Sequence, residues 1–385
     1  MWNQPRVVWA VAAGRFVNSA SSFLMLFLTL YLTGPRGLGV VAAGLVAGTS
    51  GVGMLAGNFT GGRWGDRHGH RRTALVTATA SGVLVVLVPV LPVWLLPVTL
   101  PASAYLSATS GVSLGALTAL AVPRGERRTM VAISRAASNA GFVIGPPLGA
   151  LLAAWSWDAV FLVDGGLLLV SRFALAPLLP DLRHAVEGPT TGFLSALRAD
   201  RALLRLLGAV AVVDLVYRQL YSTVPLHLRD AGMPLGLYAA AIAIGSGLIL
   251  LLEVPVAIRL RGFSSYPIIA AGYALVGVGF ALFGLPVSVA TTVVAIVVLT
   301  AGEILYKTTA TAHVLDAAPD HLVGQYQGLY GGASTSGSLL AAPIGGALYA
   351  VAPGALWPLL GLLAVGAAAS VLAGRPRVSP RSVPA

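Results

Sequence analysis

The stretch Gly62-Arg63-Trp64-Gly65-Asp66-Arg67-His68-Gly69-His70-Arg71-Arg72 lies between two apolar runs, each long enough to cross a bilayer. Four arginines and an aspartate in so short a segment are too costly to place in hydrocarbon, so it reads as a tight interfacial turn joining two spans. Its glycines permit a sharp reversal and a close approach of helices.

The composition agrees. The chain has 385 residues, of which 57% are hydrophobic and 10% charged, and its mean hydropathy is +0.85; a soluble domain carries about 25% charged residues. A span needs about 20 apolar residues, and the charge-free stretches Thr73 to Pro123, Gly262 to Gly302 and His321 to Gly374 each hold two, folded back at Pro92 to Pro101, at Gly284-Leu285-Pro286 and at Pro353-Gly354. Reading the rest in the same way predicts spans over 7–33, 39–60, 73–92, 96–121, 130–154, 159–179, 206–228, 235–258, 265–284, 288–311, 326–350 and 355–373. The expected fold is an all-α membrane protein of twelve transmembrane helices. The first span runs on as a helix with no small-residue cleavage site, so no removed signal peptide is expected.

A net charge of +11 in a soluble chain would point to nucleic acid, but here the arginines sort by loop. Arg6, Arg63, Arg67, Arg71, Arg72, Arg124, Arg127, Arg128, Arg183, Arg198, Arg201, Arg205, Arg259, Arg261, Arg375, Arg377 and Arg381 fall on one side, and only Arg36 and Arg229 on the other. The bias of basic residues toward the cytoplasm then puts both termini inside a bacterial inner membrane, with no nucleic-acid partner.

One polar connector, residues 181–205, divides the chain into a first six-span bundle (1–180) and a second (206–374), followed by a cytoplasmic tail (375–385). At a fixed offset of 196, Gly141 aligns with Gly337, Pro147 with Pro343, Gly149 with Gly345, Leu30 with Leu226, Asn18 with Asp214 and Arg63 with Arg259. Six spans per copy imply two bundles related by a parallel pseudo-two-fold axis.

These residues carry a family resemblance that covers essentially the whole chain. Gly62-x-x-x-Asp66-Arg67-x-Gly69-x-Arg71, after the second span of twelve, resembles the loop signature of the major facilitator superfamily. Gly141-x-x-x-Gly145-Pro146-x-x-Gly149 is similar to the fifth-helix motif of that family's multidrug exporters. The chain departs from the pattern at Trp64, Gly65 and His70, lacks an arginine in the fourth span and an acid in the first, and reduces the second loop copy to Arg259 and Arg261.

The resemblance implies a secondary transporter that exports small amphipathic organic compounds in exchange for protons, by two bundles rocking about a central site. A proton-linked or facilitative importer of a small metabolite is the alternative, and a non-transporting receptor or enzyme a remote one. It also implies that the loop signature is a conformational latch. Gly62 and Gly69 shape it, Asp66 accepts backbone N–H groups at a neighbouring helix start, and Arg67 and Arg71 are expected to pair with Asp316 and Asp320, which lie on a connector without Lys or Arg.

Charges inside spans need a reason. Asp214 and Arg218, and Glu303 and Lys307, are spaced to pair along one helix face, and a carboxylate in either pair is a candidate proton carrier. Arg15 has no acid on its own helix, so it is expected either to reach Asp214 across the halves or to hold an anionic substrate group. Asp164, Arg172 and Arg135 are weaker candidates, with Arg135 expected to snorkel to the cytoplasmic face and Glu253 to be interfacial. Asn18, Tyr217, Gln219, Tyr221 and Tyr306 are the candidate cavity polar groups. Gly141, Gly145, Pro146, Gly149 and Pro343 are expected to allow close packing and bending.

Other chemistry finds no support. Lys307 is the only lysine, so there is no Gly-Lys phosphate loop. Gly111-Val112-Ser113-Leu114-Gly115 lacks the strand–turn–helix setting of a hydrolase elbow. Cysteine is absent and the histidines show no metal-ligand spacing, so neither enzyme activity, metal nor cofactor is expected. The expected partners are a small-molecule substrate, protons and lipid, with a monomer as the working unit.

Overall fold

A computed structural model of the chain describes residues 4–182, 197 and 200–374. Arg183, His184, Arg198 and the tail arginines named above lie outside the described residues.

Among the described residues there are fourteen α-helices and no strand. They are α1 (Arg6–Ala20), α2 (Phe23–Thr33), α3 (Val40–His68), α4 (His70–Leu87), α5 (Leu96–Leu120), α6 (Arg127–Trp155), α7 (Trp157–Leu175), α8 (Arg201–Ser222), α9 (Val224–Asp230), α10 (Leu235–Arg259), α11 (Ser265–Leu282), α12 (Val289–Ala317), α13 (Val323–Val351) and α14 (Pro353–Ala373). Hydrocarbon offers no hydrogen bonds, so the apolar segments satisfy their backbones internally as helices. Seven of them are long and apolar enough to cross a membrane unaided.

The fourteen helices make twelve spans because the first and seventh are each broken. Between α1 and α2, Ser22 Oγ turns back onto the Asn18 carbonyl at 2.6 Å. Between α8 and α9, Thr223 precedes Pro225, which has no N–H to donate. The breaks therefore fall in these spans, whereas α6 runs as one helix through Pro146 and Pro147, and α13 through Pro343.

The duplication recurs in space. Helix α6 begins at Arg127 and α13 at Val323, and they end at Trp155 and Val351, so both separations are 196 residues. In the first half α1 packs on α6, α3 and α4 on α5, and α4 on α7; in the second half α8 packs on α13, α10 and α11 on α12, and α11 on α14. The small residues do the same job in each copy. A Cβ on Gly141 would lie 2.4 Å from the Phe16 carbonyl oxygen of α1, and one on Gly337 would lie 2.0 Å from that of Ala211 in α8. Gly145 and Gly149 extend this contact, facing Ser19 and the Phe23 and Phe27 rings.

The polar stretch that opened the sequence is not a loop. Helix α3 continues through it to His68, and the whole reversal is made by Gly69 at φ +87° before α4 starts at His70. A left-handed backbone of this kind suits glycine alone.

Each half is also clipped at the opposite end by the two arginines that stood apart in the charge pattern. Arg36 donates to the carbonyl oxygens of Val88, Pro89 and Leu91 at 2.7 to 2.9 Å. Arg229 pairs with Asp230 at 2.8 Å, and Asp230 accepts from Tyr349 at 3.0 Å.

Candidate functional site

The two halves meet most closely at the end that carries the Gly62–Arg72 stretch, called here the basic end. Asp66 accepts the backbone N–H groups of Gly324 and Gln325 at 2.9 and 3.0 Å, which are free because they open α13. A carboxylate there is favoured by the helix dipole as well as by charge-assisted hydrogen bonds. His70 also meets this carboxylate, with Nε2 3.1 Å from the Oδ1 that accepts from Gly324. Glycine makes the approach possible, since a Cβ on Gly62 would lie 2.0 Å from the Gly324 carbonyl oxygen.

The arginine partners differ from expectation. Asp320 pairs with Arg124 of the connector before α6 at 3.0 Å, and Asp316 with Arg127 at the start of α6 at 3.7 Å. Arg71 is instead used inside its own half, donating to the Ala176 carbonyl at 2.9 Å. Arg67 is exposed at the rim of a basic-end hollow of about 700 Å³ and forms no ion pair among the described residues. The cause is the helical form of the stretch, which turns Arg67 away from α13 and leaves Asp66 facing it.

The reduced second copy at Arg259 and Arg261 is compensated rather than weak. There the polarity reverses. Arg128 of α6 donates to the carbonyl oxygens of Leu260 and Phe263 and to Ser265 Oγ, which form the α10–α11 corner. Arg261 adds an ion pair to Glu126 at 3.8 Å, and Glu126 also accepts from Gln4 at 2.7 Å.

Deeper in, neither carboxylate pairs along its own helix. Glu303 of α12 accepts from Arg135 of α6 at 3.0 Å and from the Tyr217 hydroxyl of α8. Arg135 also pairs with Glu253 of α10, which is wholly buried and accepts from Thr308. Arg135 thus does not snorkel, and Glu253 is not interfacial; the two pair with each other, and Glu253 Oε2 is left buried without a hydrogen-bond partner. Asp214 takes Lys307 at 2.9 Å and the Tyr306 hydroxyl at 3.1 Å, with the ammonium 5.3 Å from the Tyr217 ring centre. Arg218, left without Asp214, turns outward to Ser338 Oγ at 3.2 Å and over the half-exposed Tyr221 ring.

Three carboxylates therefore share two cations, and one of those cations, Arg135, is contributed by the first half to acids of the second. Glu253 and Arg135 carried no pairing signal in the sequence, because they lie on helices that meet only across the interface between the halves.

Beside this cluster lies a cavity of about 180 Å³, walled by α1, α5, α6, α12 and α13 and lined by Arg15, Ser134, Arg135, Lys307, Gln327 and Tyr330 among others. None of Asn18, Tyr217, Gln219, Tyr221 and Tyr306 lines it. Asn18 is half-buried in the last turn of α1. Tyr217 and Tyr306 are spent on the carboxylates, behind the wall. Gln219 is a structural plug: fully buried, it donates to the Ala341 carbonyl at 2.7 Å and accepts from Ser222 and Thr223 at 3.0 and 3.1 Å, closing the α8–α9 break. Arg15 does not reach Asp214, whose charge is already met by Lys307; it faces the cavity.

A duplicated bundle of twelve spans, with buried charges and a cavity astride the interface, defines a membrane transporter architecture. The Major Facilitator Superfamily description matches residues 11–342, and the chain belongs to that family. Among its relatives are the Bacillus subtilis proteins named uncharacterized MFS-type transporter YttB, 26% identical across 89% of this chain and 88% of that one, and YqjV, 25% identical across 88% and 85%. Similar solved structures include the human organic anion transporter MFSD10 (TETRAN), at TM-score 0.79 and 16% identity over 95% of this chain and 99% of that one. The proton:xylose symporter XylE matches at TM-score 0.72 and 14% identity, over 96% and 95%.

Proposed function

We propose that this chain is a proton-coupled secondary transporter of a small organic solute, working by alternating access. The observation that carries the reading is the sharing of two cations by three buried carboxylates at the interface. A surplus buried carboxylate is costly as an anion, and a proton neutralises it. Because Arg135 comes from the first half and Glu253 and Glu303 from the second, protonating either acid loosens a tie between the bundles. Proton uptake and bundle movement are then one event.

The basic end is cytoplasmic in this reading, by the bias of arginines toward that side. In this reading the contacts of Asp66, Arg124, Arg127 and Arg128 close the cytoplasmic end, which makes this conformation the one shut toward the cytoplasm. The working unit proposed is a monomer, since one chain supplies every residue named in the cavity wall.

The test uses the protein reconstituted in vesicles with a trapped pH indicator. Addition of a transported solute from a compound panel should collapse or build a pH gradient, and Glu303→Gln should abolish that proton movement while leaving solute exchange. Solute flux indifferent to the pH gradient would overturn the coupling. A second reading, export in exchange for protons, is favoured by the Gly141 to Gly149 motif of α6, which is similar to that of exporters.

A further inference from the structure

Arg15 is a cation without a counter-ion. It lies nine residues beyond Arg6, about 13 Å along α1, too deep for its guanidinium to reach the basic-end interface, and it lines the cavity between the halves. Among the described residues it forms no ion pair and no hydrogen bond. The other two cations in the cavity wall are both matched, Arg135 by Glu253 and Glu303, and Lys307 by Asp214.

A second unmatched arginine stands behind it. Arg172 of α7 is 8% exposed, and its Nε is buried without a hydrogen-bond partner. Its Nη1 lies 3.7 Å from where a Cβ on Gly14 would be, an ordinary van der Waals distance, which puts it against α1 one residue from Arg15. The two positive charges act on one another. Asp164 is on the same helix but eight residues away, about 12 Å along it. Two like charges held together in a low-dielectric setting destabilise the empty protein, unless a negative group joins them.

The cavity offers further donors. The Ser134 and Ser138 hydroxyls line it and make no hydrogen bond among the described residues, and Gln327 lines it with a side-chain amide whose Nε2 can donate, its buried Oε1 being an acceptor without a partner. Apolar Val11, Met130 and Val131 complete the wall. An engineered cavity of about 150 Å³ holds benzene, so about 180 Å³ has room for a one-ring organic acid.

We propose that Arg15, backed by Arg172, is the subsite for an organic carboxylate on the transported solute, with Ser134, Ser138 and Gln327 as accessory donors. This rests on the transport reading and names the class of its cargo. It also sets a sign for the coupling. A proton on Glu253 or Glu303 leaves Arg135 less neutralised in the same cavity wall, which favours an anion there, so proton and carboxylate load together.

The experiment is calorimetric binding to the purified protein in nanodiscs, with sodium benzoate, its uncharged analogue benzamide, and inorganic phosphate as probes. Benzoate should bind, and benzamide about tenfold or more weakly, since a hydrogen-bonded charge is lost. Arg15→Gln should weaken benzoate by a similar factor, Arg172→Gln by less, and Arg15→Lys should recover part of the loss. Melting temperatures within a few degrees of the parent show that the variants are folded, and wild-type affinity for benzoate should rise from pH 8 to pH 6.

Equal binding of benzoate and benzamide, benzoate binding unaltered by Arg15→Gln, a preference for phosphate over benzoate, or no benzoate binding at tens of millimolar to folded wild type would each overturn the proposal. The coupling reading fails separately. Retained Arg15-dependent benzoate binding with no proton movement in the vesicle assay would sink coupling and leave the subsite.

Discussion

Arg135 of α6 donates to Glu303 of α12 at 3.0 Å, and this bond joins the first half of the chain to the second at the depth of the cavity. The same guanidinium holds Glu253 of α10, so one side chain from one bundle satisfies two acids of the other. In the proposed transport cycle, rocking of the bundles would require this contact to be remade.

Arg135→Gln should therefore be costly. It leaves two buried carboxylates without a cation, a change worth about 3–5 kcal/mol. Thermal melting in detergent should show the loss, and adding Glu253→Gln and Glu303→Gln should restore most of it. A triple variant less stable than Arg135→Gln alone would contradict the pairing.

The Lys307 to Asp214 pair makes a parallel case. Each single neutralisation, Lys307→Gln or Asp214→Asn, should lower the melting temperature more than the two combined, with a coupling energy of about 0.5–3 kcal/mol in a double-mutant cycle. Strict additivity would mean that the 2.9 Å contact contributes nothing.

Gln219 tests the reassignment of a cavity candidate to a structural role. Gln219→Ala removes the hydrogen bond to the Ala341 carbonyl at the α8–α9 break, and should cost about 1–3 kcal/mol of stability. Solute selectivity should stay as in the wild type, measured by competition among transported compounds. A changed selectivity with unchanged stability would place Gln219 back among the solute contacts.

Gly62→Ala puts a methyl group where only 2.0 Å separates it from the Gly324 carbonyl oxygen. Overpacking of this kind costs about 1–3 kcal/mol, and it acts only where α3 meets α13. The variant should fold, open at the basic end and transport about tenfold or more slowly, given that 1.4 kcal/mol is a factor of ten. Transport at the wild-type rate would show that the close approach is dispensable.

Much of the fold was legible in the sequence because its signals are periodic and cheap to read. Charge-free runs of twice a span's length, the Pro-Gly turns between them and the 196-residue offset led to twelve spans in two copies, and α6 and α13 keep that offset at both ends. The corner was legible in part. The Asp66 contact to a helix start follows from residue chemistry, but the stretch from Gly62 to His68 is helix because one left-handed glycine, Gly69, makes the whole turn.

The charged interior was the least legible part. Spacing along one helix suggested Asp214 with Arg218 and Glu303 with Lys307, yet both acids found cations elsewhere. Spacing reports neighbours on a helix and carries nothing about which helices face one another; Arg135, Glu253 and Glu303 meet only because α6, α10 and α12 converge. Arg15 stands out in the sequence for what it lacks, an acid on its own helix, and among the described residues no acid pairs with it in three dimensions either.

The conformational reading turns on the basic-end seal, and it can be tested without knowing the solute. The chain has no cysteine, so spin labels can be introduced directly at exposed Arg72 and Phe263 across the basic end and at exposed Trp94 and Leu285 across the opposite end. Double electron-electron resonance on wild type and Asp66→Asn in nanodiscs then reports both distances. Losing the charge at the α13 start removes about 1 kcal/mol, so the variant should lengthen the Arg72–Phe263 distance and shorten the Trp94–Leu285 distance in a population raised about fivefold. Identical distance distributions in the two proteins would contradict a seal held by Asp66.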